Sequence, residues 1–261
     1  MPLVSVIIPV YNSHEHLQEA IDSVLNQTFR DLEIIIIDDG SDNPATLDFL
    51  KTLAPPLRVL YKENGGPATA RNLGIRESTG DFIVALDSDD KFERTFIEKS
   101  LKILEAQPAV GVVSCYVKEF GKTSKVWKTR AYDDFSFLVE NRIVACCTYR
   151  RQCWTDVNGF DESMSLGLED WDFWIRVTQK GWKVFVIPEP LFFYRKKDAS
   201  LMVDKTHPNM SQILDYMLQK HQQWFLQGLK KGIMEKTLLN KTTLTLKRIL
   251  GLAKEKINSK F

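Results

Sequence analysis

With 261 residues, 44% of them apolar and 26% charged, the chain has the composition of a globular protein with room for one large domain plus an appendage. A net charge of +1 makes no case for nucleic acid as a partner, and no stretch approaches the roughly 20 apolar residues of a membrane span. The charge is unevenly spread, because residues 220–261 hold ten Lys or Arg against Glu235 and Glu255, giving an acidic body and a basic tail. Cys115, Cys146, Cys147 and Cys153 form no Cys-x-x-Cys pair. They read as reduced, buried thiols rather than a zinc site or a disulfide framework. The opening Met1-Pro2-Leu3 lacks the basic segment of a signal peptide, so a cytosolic setting is expected.

Val4 to Pro9 is an apolar, β-branched run and predicts a first buried strand. Tyr11-Asn12-Ser13 turns the chain, with Ser13 as the expected cap of a helix whose apolar stripe is Leu17, Ala20, Ile21, Val24 and Leu25. A second strand, Leu32 to Ile37, runs into Asp38-Asp39-Gly40-Ser41, and Asn43-Pro44 opens a helix to about Leu53. Leu57 to Tyr61 is a third strand, and Gly65-Gly66-Pro67 leads into a helix from about Ala68 to Glu77. Phe82 to Leu86 is a fourth strand. Alternation of this kind predicts a parallel, doubly wound sheet with right-handed crossovers. Beyond it, the pattern gives a helix over Phe92 to Ala106, a strand over Val110 to Val117 and an irregular loop from Phe120 to Asp133. Ile143 to Tyr149 reads as a strand, and Gly159 to Leu168 as a loop. A helix opens at Glu169-Asp170, and two strands flank Pro188 and Pro190. Past about Pro208 the chain reads as helical, with Leu246, Ile249, Leu250, Ala253 and Ile257 on one face near its end.

The fourth strand runs straight into Asp87-Ser88-Asp89-Asp90, at the strand end where open α/β sheets place their ligands. Side chains two apart in an extended chain point the same way, so Asp87 and Asp89 can converge on one point. Two hard oxygen anions there suit Mg²⁺ or Mn²⁺ carrying a substrate phosphate. Neither a dinucleotide fingerprint nor a Walker loop is present, which disfavours an ordinary dehydrogenase or P-loop enzyme. His14, His16, His207 and His221 show no ligand spacing. Trp174 reads as core, while Trp171 could be core or offer an apolar surface to a ligand.

Five motifs in order, Val4-Ser5-Val6-Ile7-Ile8-Pro9-Val10-Tyr11-Asn12, Asp38-Asp39-Gly40-Ser41, Gly65-Gly66-Pro67-Ala68-Thr69-Ala70-Arg71-Asn72, Asp87-Ser88-Asp89-Asp90 and Glu169-Asp170, together resemble the inverting family 2 glycosyltransferases. The resemblance covers roughly residues 3 to 201. It implies the GT-A nucleotide-diphospho-sugar transferase fold, a Rossmann-like, doubly wound mixed sheet, with a catalytic domain over 1–207 and a basic helical tail over 208–261. It implies that Pro9 and Tyr11 lie at the nucleotide base, that Asp39 accepts from the base's ring N–H, and that Arg71 lies near the phosphates. Asp87 would sit by the ribose, Ser88 would be a further donor contact, Asp87 and Asp89 would hold Mn²⁺ or Mg²⁺ on the diphosphate, and Asp170 would be the catalytic base, with Glu169 as the alternative. Where relatives have Tyr-Arg-x-His, this chain has Tyr194-Arg195-Lys196-Lys197. Lys197 cannot bind a metal but could contact the diphosphate.

The implied donor is a nucleotide sugar, most simply a UDP-sugar. The implied acceptor is a hydroxyl of a glycan, glycoprotein or lipid-linked glycan, as in surface polysaccharide synthesis. Two alternatives stand beside this reading: transfer to a polyprenyl phosphate, and an inactive nucleotide-binding or scaffolding module. The basic tail would lie on the inner face of an anionic membrane, pack against another copy of the chain, or pack against its own acidic body.

Overall fold

The structure is a computed structural model that describes residues 3–129, 140–198 and 200–234. Residues 3–129, 141–198 and 200–214 belong to one compact unit, and residues 140 and 215–234 to a second. The first unit is built on β1 (Val4–Val10), α1 (His14–Leu25), β2 (Leu32–Asp39), α2 (Pro44–Thr52), β3 (Leu57–Lys62), α3 (Pro67–Arg76) and β4 (Phe82–Ala85). It continues through β5 (Lys91–Phe92), α4 (Phe96–Ala106), β6 (Val110–Gly121), β7 (Val126–Trp127), β8 (Thr148–Arg150), α5 (Arg151–Asp156), α6 (Glu169–Gln179) and β9 (Lys183–Lys196). A π-helical turn (Met202–Thr206) and α7 (Met210–Lys220) follow, then a helical segment over 222–234. Among the described residues no helix is long and apolar enough to cross a membrane.

The strands form one mixed sheet in the order β3-β2-β1-β4-β8-β6-β9-β5, with β7 on β6. β1, β2, β3 and β4 pair in parallel, as their alternation with helices requires. Covered on both faces, these strands carry continuous apolar runs: Ile34 to Ile37 and Phe82 to Ala85 are buried throughout. α1 turns Leu17, Ala20, Ile21 and Val24 toward that core. α3 sits low over β1 and β2 because Gly74 carries no side chain; a Cβ there would lie 2.6 Å from Ile7 Cγ2 and from Ile37 Cδ1.

Several expected boundaries move. Asn43 caps α2 through its side chain, but Ser13 makes no cap hydrogen bond; its hydroxyl instead accepts from Ser88 Oγ at 3.0 Å. The fourth helix begins at Phe96, since Lys91 and Phe92 are drawn into strand pairing with Phe193 and Phe192 of β9. β6 runs to Gly121, so the irregular stretch starts later than the polar pattern suggests, and it contains β7. Of the strand expected over Ile143 to Tyr149, only Thr148–Arg150 pairs. The segments flanking Pro188 and Pro190 are a single strand, in which the ladder to β6 jumps from Cys115–Ile187 to Tyr116–Pro190. A bulge lets the prolines pass without donating. The apolar stripe from Leu246 to Ile257 lies outside the described residues.

These shifts position the site. Parallel pairing brings the carboxyl ends of β1, β2 and β4 to one edge, and β5 pins the far end of β9 across the turn at 87–90. Gly80 controls entry to β4: its N–H donates to Ser5 Oγ at 2.9 Å, and a Cβ would lie 2.8 Å from the Ser5 nitrogen. Gly80→Ala should lower unfolding free energy by about 1–3 kcal/mol, the usual cost of overpacking. Urea denaturation checks this, and an unchanged midpoint would mean that β1 and β4 are free to separate there.

Candidate active site

The first turn of the site is made of backbone and amide hydrogen bonds. Asn12, at φ 50°, has a carboxamide oxygen that accepts from the Asp42 and Asn43 N–H groups, and its own N–H donates to Ser41 Oγ. The loop after β1 is thereby clamped to the loop after β2. Tyr11 stands half exposed at this edge, directly after Val10, which pairs with Asp38. Gly40 has φ 73°, and a Cβ there would strike the Asn64 nitrogen at 2.5 Å, so this turn needs glycine.

Asp39 is buried and well supplied with donors. Its carboxylate accepts from Lys62 Nζ at 2.5 Å and from the Gly65 and Gly66 N–H groups at 3.0 and 2.7 Å. Lys62 lies opposite Asp39 in the β2–β3 ladder. The Gly-Gly turn therefore binds a carboxylate of its own chain, consistent with a turn rather than a phosphate cradle.

The centre of the site is Arg71, in the middle of α3 and almost wholly buried. One guanidinium nitrogen donates to Asp87 Oδ1 at 2.7 Å and the other to Glu169 Oε1 at 2.5 Å, and the group lies over the Phe160 ring at 5.7 Å. Burial opposes its charge, but the two carboxylates outweigh that and raise its pKa. Its Nε is buried with no partner among the described residues. Next to it, Asn72 donates to Phe160 O and Glu162 Oε1 and accepts from Trp154 Nε1 and Phe160 N–H. This amide fixes the loop that precedes α6.

Three carboxylates crowd the turn after β4. Asp87 is partly exposed and faces Arg71; Asp89 pairs with Lys197 Nζ at 2.5 Å. Asp90 is buried and accepts from the Arg195 N–H at 2.7 Å; burial, with Asp89 and Asp87 alongside, pushes its carboxyl well above the usual range. Arg195 itself donates Nε to Asp89 O and pairs with Glu19. One ligand atom each from Asp87, Asp90 and Cys146 lies within 4.8 Å of the others. The expected pair Asp87 and Asp89 thus divides: Asp87 clusters with Asp90, while Asp89 is held by Lys197. The carboxylates fit a hard divalent ion, whereas burial pushes the Cys146 thiol up and keeps it protonated.

At the start of α6, Leu168 adopts φ 60° and Gly167 φ 110°, uncommon backbone for a helix entry. Thr206 of the π-helical turn packs under Gly167 and donates to Leu166 O at 3.0 Å. The acids of this first turn then separate in role. Glu169 goes to Arg71, and Asp172 pairs with Arg176, which also binds Val157 O and Gly159 O. Among the described residues Asp170 accepts only from amides, Asn141 Nδ2 at 3.0 Å and the Trp171 N–H at 2.8 Å. Burial, reinforced by Glu169, raises its pKa to about 7. Trp171 and Trp174 are both buried, and all four cysteines are buried and unpaired.

Sequence reasoning assigned no role to Lys62, Asp90, Asn141, Cys146 or Arg195. Lys62 and Asp90 end or follow a strand at the ligand edge, a signal that was available. Asn141 and Cys146 lie in irregular chain whose path the sequence does not encode locally.

The sequence matches the profile of the glycosyl transferase family 2 over residues 5–172, more than half of the chain, and the chain belongs to that family. It is 38% identical over 184 residues to an uncharacterised glycosyltransferase of Rickettsia felis, covering 68% of this chain and 30% of that protein. With EpsJ, an uncharacterised glycosyltransferase of Bacillus subtilis, identity is 30% over 238 residues, covering 84% of this chain and 68% of EpsJ. The chain therefore spans less than a third of the Rickettsia protein. Its fold is similar to that of S. aureus TarS 1–349 solved with UDP-GlcNAc, with a TM-score of 0.65 and 22% identity over 77% of this chain and 60% of that one. The mannosyltransferase PcManGT of Pyrobaculum calidifontis, solved with GDP-Man and Mn²⁺, gives a TM-score of 0.60 and 22% identity over 77% of this chain and 59% of that one. The expected GT-A architecture and glycosyltransferase class both stand.

Removing the Arg71 charge leaves Glu169 buried without its cation. Arg71→Met should cost about 3–5 kcal/mol in denaturant unfolding, and adding Glu169→Gln should recover part of that loss. Strict additivity of the two substitutions would show that the bridge contributes nothing.

Proposed function

We propose that this chain is a metal-dependent, inverting transferase that moves a sugar from a nucleotide diphosphate, most simply UDP, to a hydroxyl of a glycan or glycoprotein. The observation that carries the reading is the Arg71 bridge: it ties Asp87, at the carboxylate turn, to Glu169, the neighbour of a carboxyl poised at about 7. Nucleotide-sugar binding by TarS and the Mn²⁺ in the PcManGT complex support the donor and metal assignments.

In this reading Pro9 and Tyr11 flank the base, and Asp39 presents an oxygen to it. Arg71 steadies the donor through Asp87, with Ser88 beside the ribose. Asp87 and Asp89 would hold Mn²⁺ or Mg²⁺, with Asp90 behind them. When bound, the ion neutralises charge that develops on the leaving diphosphate. Lys197 stands ready for the same phosphates. Asp170 takes the acceptor hydroxyl's proton as the oxygen attacks the anomeric carbon, and one such attack inverts that carbon. Asn141 and the Trp171 N–H hold this carboxylate in place, and burial beside Glu169 keeps it basic. Residues 1–207 would form the catalytic domain, and 208–261 a basic helical tail that docks on an anionic membrane or on a second copy.

The test is nucleotide release and sugar transfer across a panel of nucleotide sugars and glycan acceptors, with Mn²⁺ or EDTA. One donor should be turned over with metal and lost with EDTA. Asp170→Asn should slow transfer by roughly 10²–10⁴-fold, the usual contribution of a general base, and Asp89→Asn should abolish the metal response. Because Asp170 works ionised, kcat/KM should climb as pH rises through about 7 and level off above it. A limb unchanged in Asp170→Asn would remove that residue from the role of base.

A further inference from the structure

Each acidic group of the 87–90 turn meets a different counter-group. Asp87 has Arg71, Asp90 has the Arg195 N–H, and Asp89 has the Lys197 ammonium at 2.5 Å. The first two partners are fixed: Arg71 is buried on a helix, and the Arg195 N–H belongs to the backbone of β9. Lys197 differs. It lies just past the end of β9, on a flexible four-carbon stem, and its side chain and that of Asp89 are 34% and 23% exposed. It is the counter-group of this turn that can leave without breaking secondary structure.

We propose that Lys197 is a built-in counter-ion that makes cation and donor binding interdependent. This rests on the metal-dependent reading above. In the ligand-free protein the ammonium holds Asp89, and a divalent cation entering the turn must displace it while meeting a like charge. A nucleoside diphosphate brings anionic oxygens to which the ammonium can move, releasing Asp89 to the cation. The diphosphate thereby raises affinity for the cation, and by linkage the cation raises affinity for the diphosphate by the same factor.

Mn²⁺ binding is measured by the loss of the free-ion electron paramagnetic resonance signal, and UDP binding by calorimetry, for wild type, Lys197→Met and Lys197→Arg. For wild type, Mn²⁺ alone should bind weakly, and saturating UDP should tighten it about tenfold or more, within the usual range of such couplings. Lys197→Met should bind Mn²⁺ alone about tenfold more tightly than wild type and show a smaller effect of UDP, the remainder coming from phosphate oxygens on the ion. Lys197→Arg should follow wild type. In an Asp89→Asn background, Lys197→Met should no longer change Mn²⁺ affinity, which separates the pairwise effect from a general disturbance of the turn. If UDP and Mn²⁺ bind together but Lys197→Met leaves the affinity for Mn²⁺ alone unchanged or lower, the inference fails and the metal site stands. If Mn²⁺ binds no variant even with UDP, the metal site falls and the inference with it.

Discussion

A single buried guanidinium holds this site together. Arg71 reaches two carboxylates, one after β4 and one at the start of α6, separated by more than eighty residues of chain. It gets there because α3 begins at the Gly66-Pro67 turn and lies close on β1 and β2, which the absent side chain of Gly74 permits. A charge this deep needs opposite charge beside it, so the carboxylates are as necessary to Arg71 as it is to them. The fold and the site therefore depend on the same interaction.

That allotment also explains why Asp170 stands apart. In the first turn of α6, Glu169 and Asp172 each take an arginine, whereas Asp170 meets two amides and, among the described residues, no cation. The helix terminus favours negative charge there, yet burial and the charge on Glu169 outweigh it. A carboxyl that is hydrogen-bonded but not paired keeps its orientation without losing its basicity. Arg71 already lowers that pKa from a distance, and direct pairing would lower it further, and with it the capacity to accept a proton near neutral pH.

The parallel half of the sheet was legible because its strands are apolar on both faces and end in residues that turn or carry charge. The carboxylate turn was legible for the same reason, as was Asn43 at its cap. What escaped is long-range. Ser13 has the chemistry of a cap, but Ser88 from another strand end takes its hydroxyl, which no local rule foresees. Lys91 and Phe92 look helical until β9 arrives to pair with them. Pro188 and Pro190 look like a break, and only the partner strand shows that a bulge absorbs them. In the site, residue types forecast which groups would be charged but not who would neutralise whom. The pairing of Asp89 with Lys197 and the turning of Asp39 onto Lys62 and two glycine amides are properties of the tertiary structure.

The family match ends at residue 172, and what lies on either side of that point differs in kind. Within it stand the carboxylates of the 87–90 turn, Arg71 and the start of α6, the groups to which the proposed transfer assigns its roles. Beyond it lies β9, whose far end crosses the 87–90 turn with Arg195 and Lys197, and the π-helical turn, whose Thr206 fixes the backbone just before Glu169. In the proposed reaction neither element supplies a reacting group. One balances the acidic turn, and the other holds an uncommon backbone at Gly167 and Leu168. Charge at this edge is thus balanced twice, by Arg71 from inside the matched range and by β9 from beyond it, so a change on β9 can alter the acidic turn while the Arg71 bridge stays in place.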